Sequence, residues 1–234
     1  MIKGIYFTGR SLDTQVRNID VIANNIANIN TTGFKRQVPF IELLNNSGTT
    51  DIKQVTDHAQ GEIVQTSNPL DVAISGKGYF TLQTDEGPQL TRNGKFKLDN
   101  DGFLINEQGN KVLGKNGEIN IADYVANDNQ KLTISKNGVI RMGDIEIDTL
   151  LIQKKNPSDE MDRTSGLNFL SGNDTMPAND SEFEISQGYL EESNVNPVVE
   201  MESMIQKNKD YETAYKIMNF LDKSLQEANE VGKT

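Results

Sequence analysis

The chain has 234 residues, enough for one or two domains with a sizeable core, although hydrophobic residues make up only 35% and glycine is generous at 19. A formal net charge of −11 argues against wrapping a nucleic-acid backbone or adhering to an anionic membrane. Cysteine is absent, which removes disulfides, thiolate nucleophiles and thiolate metal sites together.

Residues 1–16 carry Lys3, Arg10 and Asp13 among short apolar stretches. They have no continuous apolar core and no small-residue cleavage site, so no ordinary secretory signal is expected. From Leu12 onward the apolar residues fall at Leu12, Val16, Ile19, Ala23 and Ile26, while Asp13, Arg17, Asn18 and Asp20 lie off that stripe. Alternating steps of four and three place the stripe on one face of a helix in heptad fashion. Asn24, Asn25, Asn28 and Asn30 follow, then Thr31, Thr32 and Gly33. Asn and Gly accept left-handed backbone, which predicts a helix end between residues 28 and 33.

Polar, turn-rich segments at 45–50 and 171–180 frame a middle that reads as strand. Short β-prone runs at 71–74, 79–83, 96–98, 103–105, 111–113, 131–135 and 139–142 alternate with turn signals, of which Asn137-Gly138 is the strongest hairpin cue. Residues 145–153 form the longest strand candidate. Many short strands at this spacing predict an antiparallel sandwich or partly closed barrel rather than βαβ units. No apolar run approaches the roughly 18 residues of a membrane span.

The C-terminal arm has a clear start: Asn196 can cap, Pro197 suits the first helical position, and Glu200 and Glu202 sit near the positive end of the dipole. Met201, Met204, Asn208, Tyr211, Tyr215, Met218, Asp222 and Leu225 continue a three-four alternation, widened by Ile205, Ile217 and Leu221, and Gly232 offers a stop. Residues 1–40 hold five basic against two acidic side chains, and residues 186–234 five against nine. Opposite signs favour pairing the arms with each other, or with another subunit's arm, over self-pairing. The predicted fold class is α+β. Terminal helices from 1–40 and 186–234 pair as a coiled-coil-like arm, 41–69 is a linker or extended arm, and 70–185 is an all-β domain. Two short paired helices are marginal in water because nucleation is costly, so the arms are expected to be loose in a free monomer and ordered in an assembly.

No catalytic, cofactor or metal site emerges. His58 is the only histidine, so no histidine cluster exists for zinc. In Lys97-Leu-Asp99-Asn-Asp101-Gly102, alignment to a calcium loop puts Lys97 at the first ligand position and Gln108 at the last, leaving out the bidentate acid. Gly76-Lys77-Gly78 lacks the length and the following helix of a phosphate loop. Nothing singles out a carboxylate pair such as Asp99 and Glu118 for glycoside hydrolysis, and tryptophan is absent.

Four motifs carry a family resemblance. They are Asn24-Asn-Ile-Ala-Asn-Ile-Asn-Thr-Thr-Gly-Phe-Lys35, Leu70-Asp-Val-Ala-Ile-Ser-Gly-Lys-Gly-Tyr-Phe80, Thr91-Arg-Asn-Gly-Lys-Phe96 and Gly188-Tyr-Leu-Glu-Glu-Ser-Asn-Val-Asn196. Together with Glu200, Met201, Met204, Ile205, Tyr211 and Glu212, they resemble the signatures of the bacterial flagellar rod and hook proteins, in that family's order. The resemblance implies a structural, non-enzymatic subunit of the basal body, exported by the flagellar type III apparatus without a cleaved signal. It would polymerise helically into the torque-transmitting rod that crosses the periplasm, with itself and other rod subunits as partners. Terminal helices would form an inner tube and the β domain an outer layer. The short region after the N-terminal arm, the modest length and the short Val112-Leu-Gly-Lys-Asn-Gly117 turn favour a proximal-rod type over a distal-rod or hook type. Arg10, where family members often have small residues, and the charged Lys207-Asn-Lys-Asp210 depart from the pattern. The residues expected at subunit contacts are Leu12, Val16, Ile19, Ile22, Ala23, Asn24, Asn25, Ile26, Asn28, Asn30, Gly33 and Phe34. On the C-terminal side they are Ser193, Asn194, Met201, Met204, Ile205, Tyr211, Tyr215 and Met218. Two other classes stay open on residues alone. A secreted adhesin with a coiled-coil stalk would form a discrete oligomer, and a carbohydrate-acting enzyme would need a cleft with paired acids.

Overall fold

The computed structural model describes residues 2–43, 50–122, 131–155, 163–164, 166–171 and 175–231. The chain folds as two compact units. One comprises residues 1–29, 36–57 and 195–234, the other residues 30–35 and 58–194, so the chain crosses between them four times.

The first unit is helical. Helix α1 runs Ile2–Ala27 and helix α2 Pro197–Val231, and the two pack against each other. The N-terminal helix starts ten residues before the apolar stripe that revealed it, because its first turns bury little. Asn196 caps α2 as expected, its Oδ1 accepting the Val198 and Val199 N–H groups at 3.0 and 3.3 Å. Gly232 lies outside the described residues.

Both inward faces are rotated one residue from the stripes read in the sequence. On α1 the covered positions are Ile5, Thr8, Leu12, Gln15, Ile19, Ile22 and Ile26, whereas Val16 and Ala23 are exposed. On α2 they are Glu200, Met204, Lys207, Tyr211, Ala214, Met218, Leu221 and Leu225, whereas Met201, Asn208, Tyr215 and Asp222 are exposed. The α1 stripe shares three of its five members with the true seam and the α2 stripe four of its eight. The stripes follow three-four spacing, whereas the seam also takes Gln15, Lys207 and the small Ala214, which admit a close neighbour or lay down an alkyl stem.

The unit also holds a hairpin of strands Gln37–Leu43 and Thr50–Thr56, in register from Gln37 opposite Thr56 to Leu43 opposite Thr50. The region from 41 read as linker therefore begins inside paired strand. The turn-rich segment cited at 45–50 lies outside the described residues, apart from Thr50, which opens the second strand.

The second unit is antiparallel β. Among the described residues its main sheet runs Phe169–Leu170, Gly87–Thr91, Tyr79–Thr84, Lys111–Gly114, Leu104–Ile105, Lys97–Leu98. Strand Gly117–Glu118 pairs with Lys111–Gly114, and Ile152–Lys155 pairs with both Tyr79–Thr84 and Thr175–Pro177. The segment 171–180 read as linker thus contributes a strand. Leu132–Ile134, Val139–Met142 and Ile145–Thr149 make a smaller sheet, Phe183–Gln187 pairs with Val72–Gly76, and Tyr189–Glu191 with Ile63–Gln65. None of these sheets closes into a barrel.

The Asn137-Gly138 turn joins the first two strands of the small sheet, with Gly138 at φ +82° as such a turn requires. The long candidate at 145–153 is two strands. Ile145 pairs with Met142 in the small sheet and Ile152 with Phe80 in the large one, the chain changing sheets at Leu150 and Leu151. A run of β-prone residues does not announce a change of partner. Val72, Ile74, Phe80, Leu82, Phe96, Val112, Ile140, Leu150, Ile152 and Ile185 fill the core, with Phe80 and Phe96 edge to face at 5.1 Å.

Candidate assembly site

The four motifs converge on two carboxylates, one in each unit. In the helical unit, Asn25 of α1 treats Gln37 as a strand neighbour. Its Nδ2 donates to the Gln37 carbonyl at 2.8 Å and its Oδ1 accepts the Gln37 N–H at 2.9 Å. The same Nδ2 lies 3.2 Å from Glu200 Oε2, and Arg36 Nε donates to Glu200 Oε1 at 2.5 Å. Glu200 sits in the first turn of α2, where the dipole favours a carboxylate, and its side chain is fully buried. This ion pair gives the charge contrast between the two arms a definite contact.

In the β unit, Glu191 is equally buried and takes two cations. Lys35 Nζ reaches Oε1 at 2.5 Å and Arg92 NH1 reaches Oε2 at 3.1 Å, while the Gly61 N–H also donates to Oε1 at 3.0 Å. Lys35 further donates to the Ala59 carbonyl at 2.7 Å, and Arg92 to the carbonyls of Ile74 and Gly76. The Gly33 N–H donates to the Glu191 carbonyl at 2.8 Å, and Thr32 Oγ1 lies 2.9 Å from Asn93 Oδ1. Arg163 covers Phe34, its guanidinium 4.4 Å from the ring centre, and donates to the Lys35 carbonyl. Adjacent residues Lys35 and Arg36 therefore clamp to Glu191 and Glu200, one within each unit.

The residues named from sequence fall into three groups. Ile22, Asn25, Gly33 and Phe34 are buried inside the chain. Leu12, Ile19, Ile26, Asn28, Ser193, Asn194, Met204, Tyr211 and Met218 are half-buried. Asn28 closes the end of α1 by donating from Nδ2 to the Asn24 carbonyl, and Asn194 donates to the Ala59 carbonyl. Val16, Ala23, Asn24, Asn30, Met201, Ile205 and Tyr215 are exposed. On the outer face of α2, Met201, Ile205, Tyr215 and Phe220 stand 53%, 58%, 51% and 71% exposed. Val198, Val199 and Ile217 extend that face, and Tyr6, Phe7 and Val16 are exposed on α1. Isolated apolar surface residues are ordinary, whereas several on one helix make it a candidate surface for a partner.

The weaker sequence candidates are accounted for locally. Asp99 Oδ1 accepts the N–H groups of Asp101 and Phe103 and shapes a turn, while Glu118 pairs with Lys111 at 2.6 Å. Among the described residues no group of three His, Asp or Glu side chains is arranged to hold a metal, and no helix is long and apolar enough to cross a membrane. Sequence reasoning passed over Lys35, Arg36, Arg92 and Glu191 as site residues. All but Arg36 lie inside the motifs, but their pairing across 99 to 164 residues leaves no local periodicity.

Three family models match the chain in order. The flagella basal body rod protein model covers residues 5–35, the flagellar hook protein FlgE/F/G D1 domain residues 73–142, and the flagellar basal body rod FlgEFG protein C-terminal model residues 186–231. The flagellar basal-body rod protein FlgF of Caulobacter vibrioides is 30% identical over 216 residues, 87% of this chain and 86% of that protein. The chain belongs to the flagellar basal-body rod protein family. FlgF of Mesorhizobium japonicum is 30% identical over 220 residues, covering 91% of this chain and 90% of that protein. The rod protein FlgG of Bacillus subtilis is likewise 30% identical, over 261 residues and 97% of this chain. Both kinds of rod protein thus stand at the same distance. The buried carboxylates fall within or beside the matched segments: Glu191 and Glu200 lie in the C-terminal match and Lys35 ends the N-terminal one.

Proposed function

We propose that this chain is a structural subunit of the flagellar rod that polymerises helically through its terminal helices and transmits torque. Family membership supports the rod role and the basal-body location, with other rod subunits as partners. The observation that carries polymerisation is the outer face of α2, where Met201, Ile205, Tyr215 and Phe220 remain exposed after α1 has covered the opposite face. Burying such side chains in a neighbouring subunit contributes about 1.5–3 kcal/mol each. Ile22 is already buried within the chain and adds nothing to that sum.

The chain is a proximal-rod subunit in this reading. Support comes from the short region between the N-terminal arm and the β unit. The alignment with Bacillus FlgG runs over 261 residues to match 97% of this 234-residue chain, so that relative carries extra residues, whereas the Caulobacter FlgF alignment runs over 216. Export through the flagellar type III apparatus without a cleaved signal belongs to the same reading.

Ile205→Asp tests it. The variant should keep the wild-type urea midpoint, since Ile205 is exposed in the single chain, yet fail to enter rods when expressed in place of the wild type. Normal motility with normal incorporation would count heavily against the outer face of α2 as a subunit contact.

A further inference from the structure

The chain has seven methionines and no cysteine, so its oxidisable sulfur is all thioether. Met142, Met176, Met201, Met204 and Met218 lie among the described residues, and the fold sorts them by exposure. Met142 sits in the β core at 4%, and Met204 and Met218 are half-buried on the covered side of α2. Met201 and Met176 stand 53% and 51% exposed. A thioether is oxidised where the oxidant can reach it, and the sulfoxide puts a polar oxygen where an apolar group stood. On Met176, in strand Thr175–Pro177, that change is made at the surface of the β unit. Met201 has a different setting. Val198, Met201 and Ile205 follow at steps of three and four, so they share one stripe of α2, and each is more than half exposed. Met201 is therefore open in the single chain, yet belongs to the face that assembly would bury.

We propose that Met201 is an oxidation site whose sulfoxide blocks assembly while leaving the chain folded. The inference rests on the outer face of α2 as a subunit contact. The oxidant is a peroxide. The Met201 sulfur attacks one peroxide oxygen, the O–O bond breaks and a sulfur–oxygen bond forms. The other oxygen leaves as hydroxide and takes the remaining proton to become water, so sulfur is oxidised and peroxide reduced. In the single chain the new oxygen stays hydrated. Beneath a neighbouring subunit it loses that water, which opposes association. Oxidation of Met204 and Met218 acts on the folded chain instead, because their side of α2 is covered by α1.

The full-length chain is treated with hydrogen peroxide and mapped by peptide mass spectrometry over time. Met201 and Met176 are expected to oxidise together, and Met142 roughly tenfold more slowly. The urea midpoint should hold until Met204 and Met218 follow. For assembly, Met201→Gln stands in for the sulfoxide with an amide oxygen at similar reach, and Met201→Leu keeps an apolar body without the sulfur. Each variant is co-expressed with tagged wild-type chain, and its share of isolated basal bodies is compared with its share of expressed protein. Met201→Leu should enter on equal terms, whereas Met201→Gln should be depleted roughly tenfold, the loss of one buried apolar contact. Oxidation of Met142 as fast as Met201, a midpoint that falls once Met201 and Met176 alone are oxidised, or undepleted Met201→Gln would each overturn the proposal. If Met201→Gln enters freely while Ile205→Asp is excluded, the subunit contact stands and the oxidation site falls. If both enter freely, the contact falls with it.

Discussion

Glu191 shows what a single buried side chain can hold together. It accepts two cations and a backbone N–H, and its own carbonyl takes the Gly33 N–H. Glu191→Gln keeps the shape but removes the negative charge that the buried Lys35 and Arg92 share. Breaking a buried pair in this way costs about 3–5 kcal/mol, which a lowered urea midpoint would register. Tyr79 makes a second prediction at this scale. Burial is the main reason its phenol is pushed up to about 12 from 10.0, against the opposing pull of Arg92. The folded chain therefore keeps a proton that the unfolded chain releases near pH 10. Stability from this group is complete below pH 10 and declines above it, by about 2–3 kcal/mol as pH approaches 12. Urea midpoints between pH 9 and 11.5 should fall more steeply for the wild type than for Tyr79→Phe, despite the variant's lost bond to His58. Identical slopes would remove Tyr79 from the account. None of this was legible beforehand. The Lys, Arg, Glu and Tyr residues could be read in the sequence, but burial and pairing over such separations are properties of the folded chain.

At the scale of elements, helix α2 was the most legible part of the molecule. Its cap, first residue, dipole partner and three-four periodicity all appear locally, and the structure starts it at Pro197. Asn196→Ala should lower stability by about 1 kcal/mol, because the Val198 and Val199 N–H groups lose their acceptor. A reduced midpoint restored by Asn196→Ser or Asn196→Asp would identify the cap as the cause. The helix faces were only half legible. Leu12, Ile19 and Ile26 on α1, and Met204, Tyr211, Met218 and Leu225 on α2, were placed on the covered side. Val16, Ala23, Met201 and Tyr215 turn outward. Hydrophobicity marks residues that want burial without saying whether the same chain supplies it. Turn residues mark the hairpin at Gly138, whereas nothing local marks Phe183–Gln187, whose partner Val72–Gly76 lies far back in the chain, or the hairpin of Gln37–Leu43 and Thr50–Thr56.

At the scale of the whole molecule, the α+β class and the family were legible, the family because its motifs sit at both ends and in the middle in a fixed order. The division into units was not read from the sequence. Hydrophobic pattern assigns residues 1–40 to one arm, whereas residues 30–35 belong to the β unit and 36–57 to the helical one. Lys35 and Arg36 are neighbours whose carboxylate partners lie in different units, and no local signal separates them. Ile205→Asp belongs at this scale, since its expected effect is absent from the isolated chain and appears only when copies meet.

The four crossings between the units also govern how the molecule can come apart. Cleavage at any one of them yields fragments of which at least one still contains residues of both units. A cut after residue 57, for example, leaves residues 1–29, 30–35 and 36–57 on one piece, and the rest of both units on the other. No single broken peptide bond releases the helical unit from the β unit. The connection is redundant in the engineer's sense: it survives the failure of any one crossing.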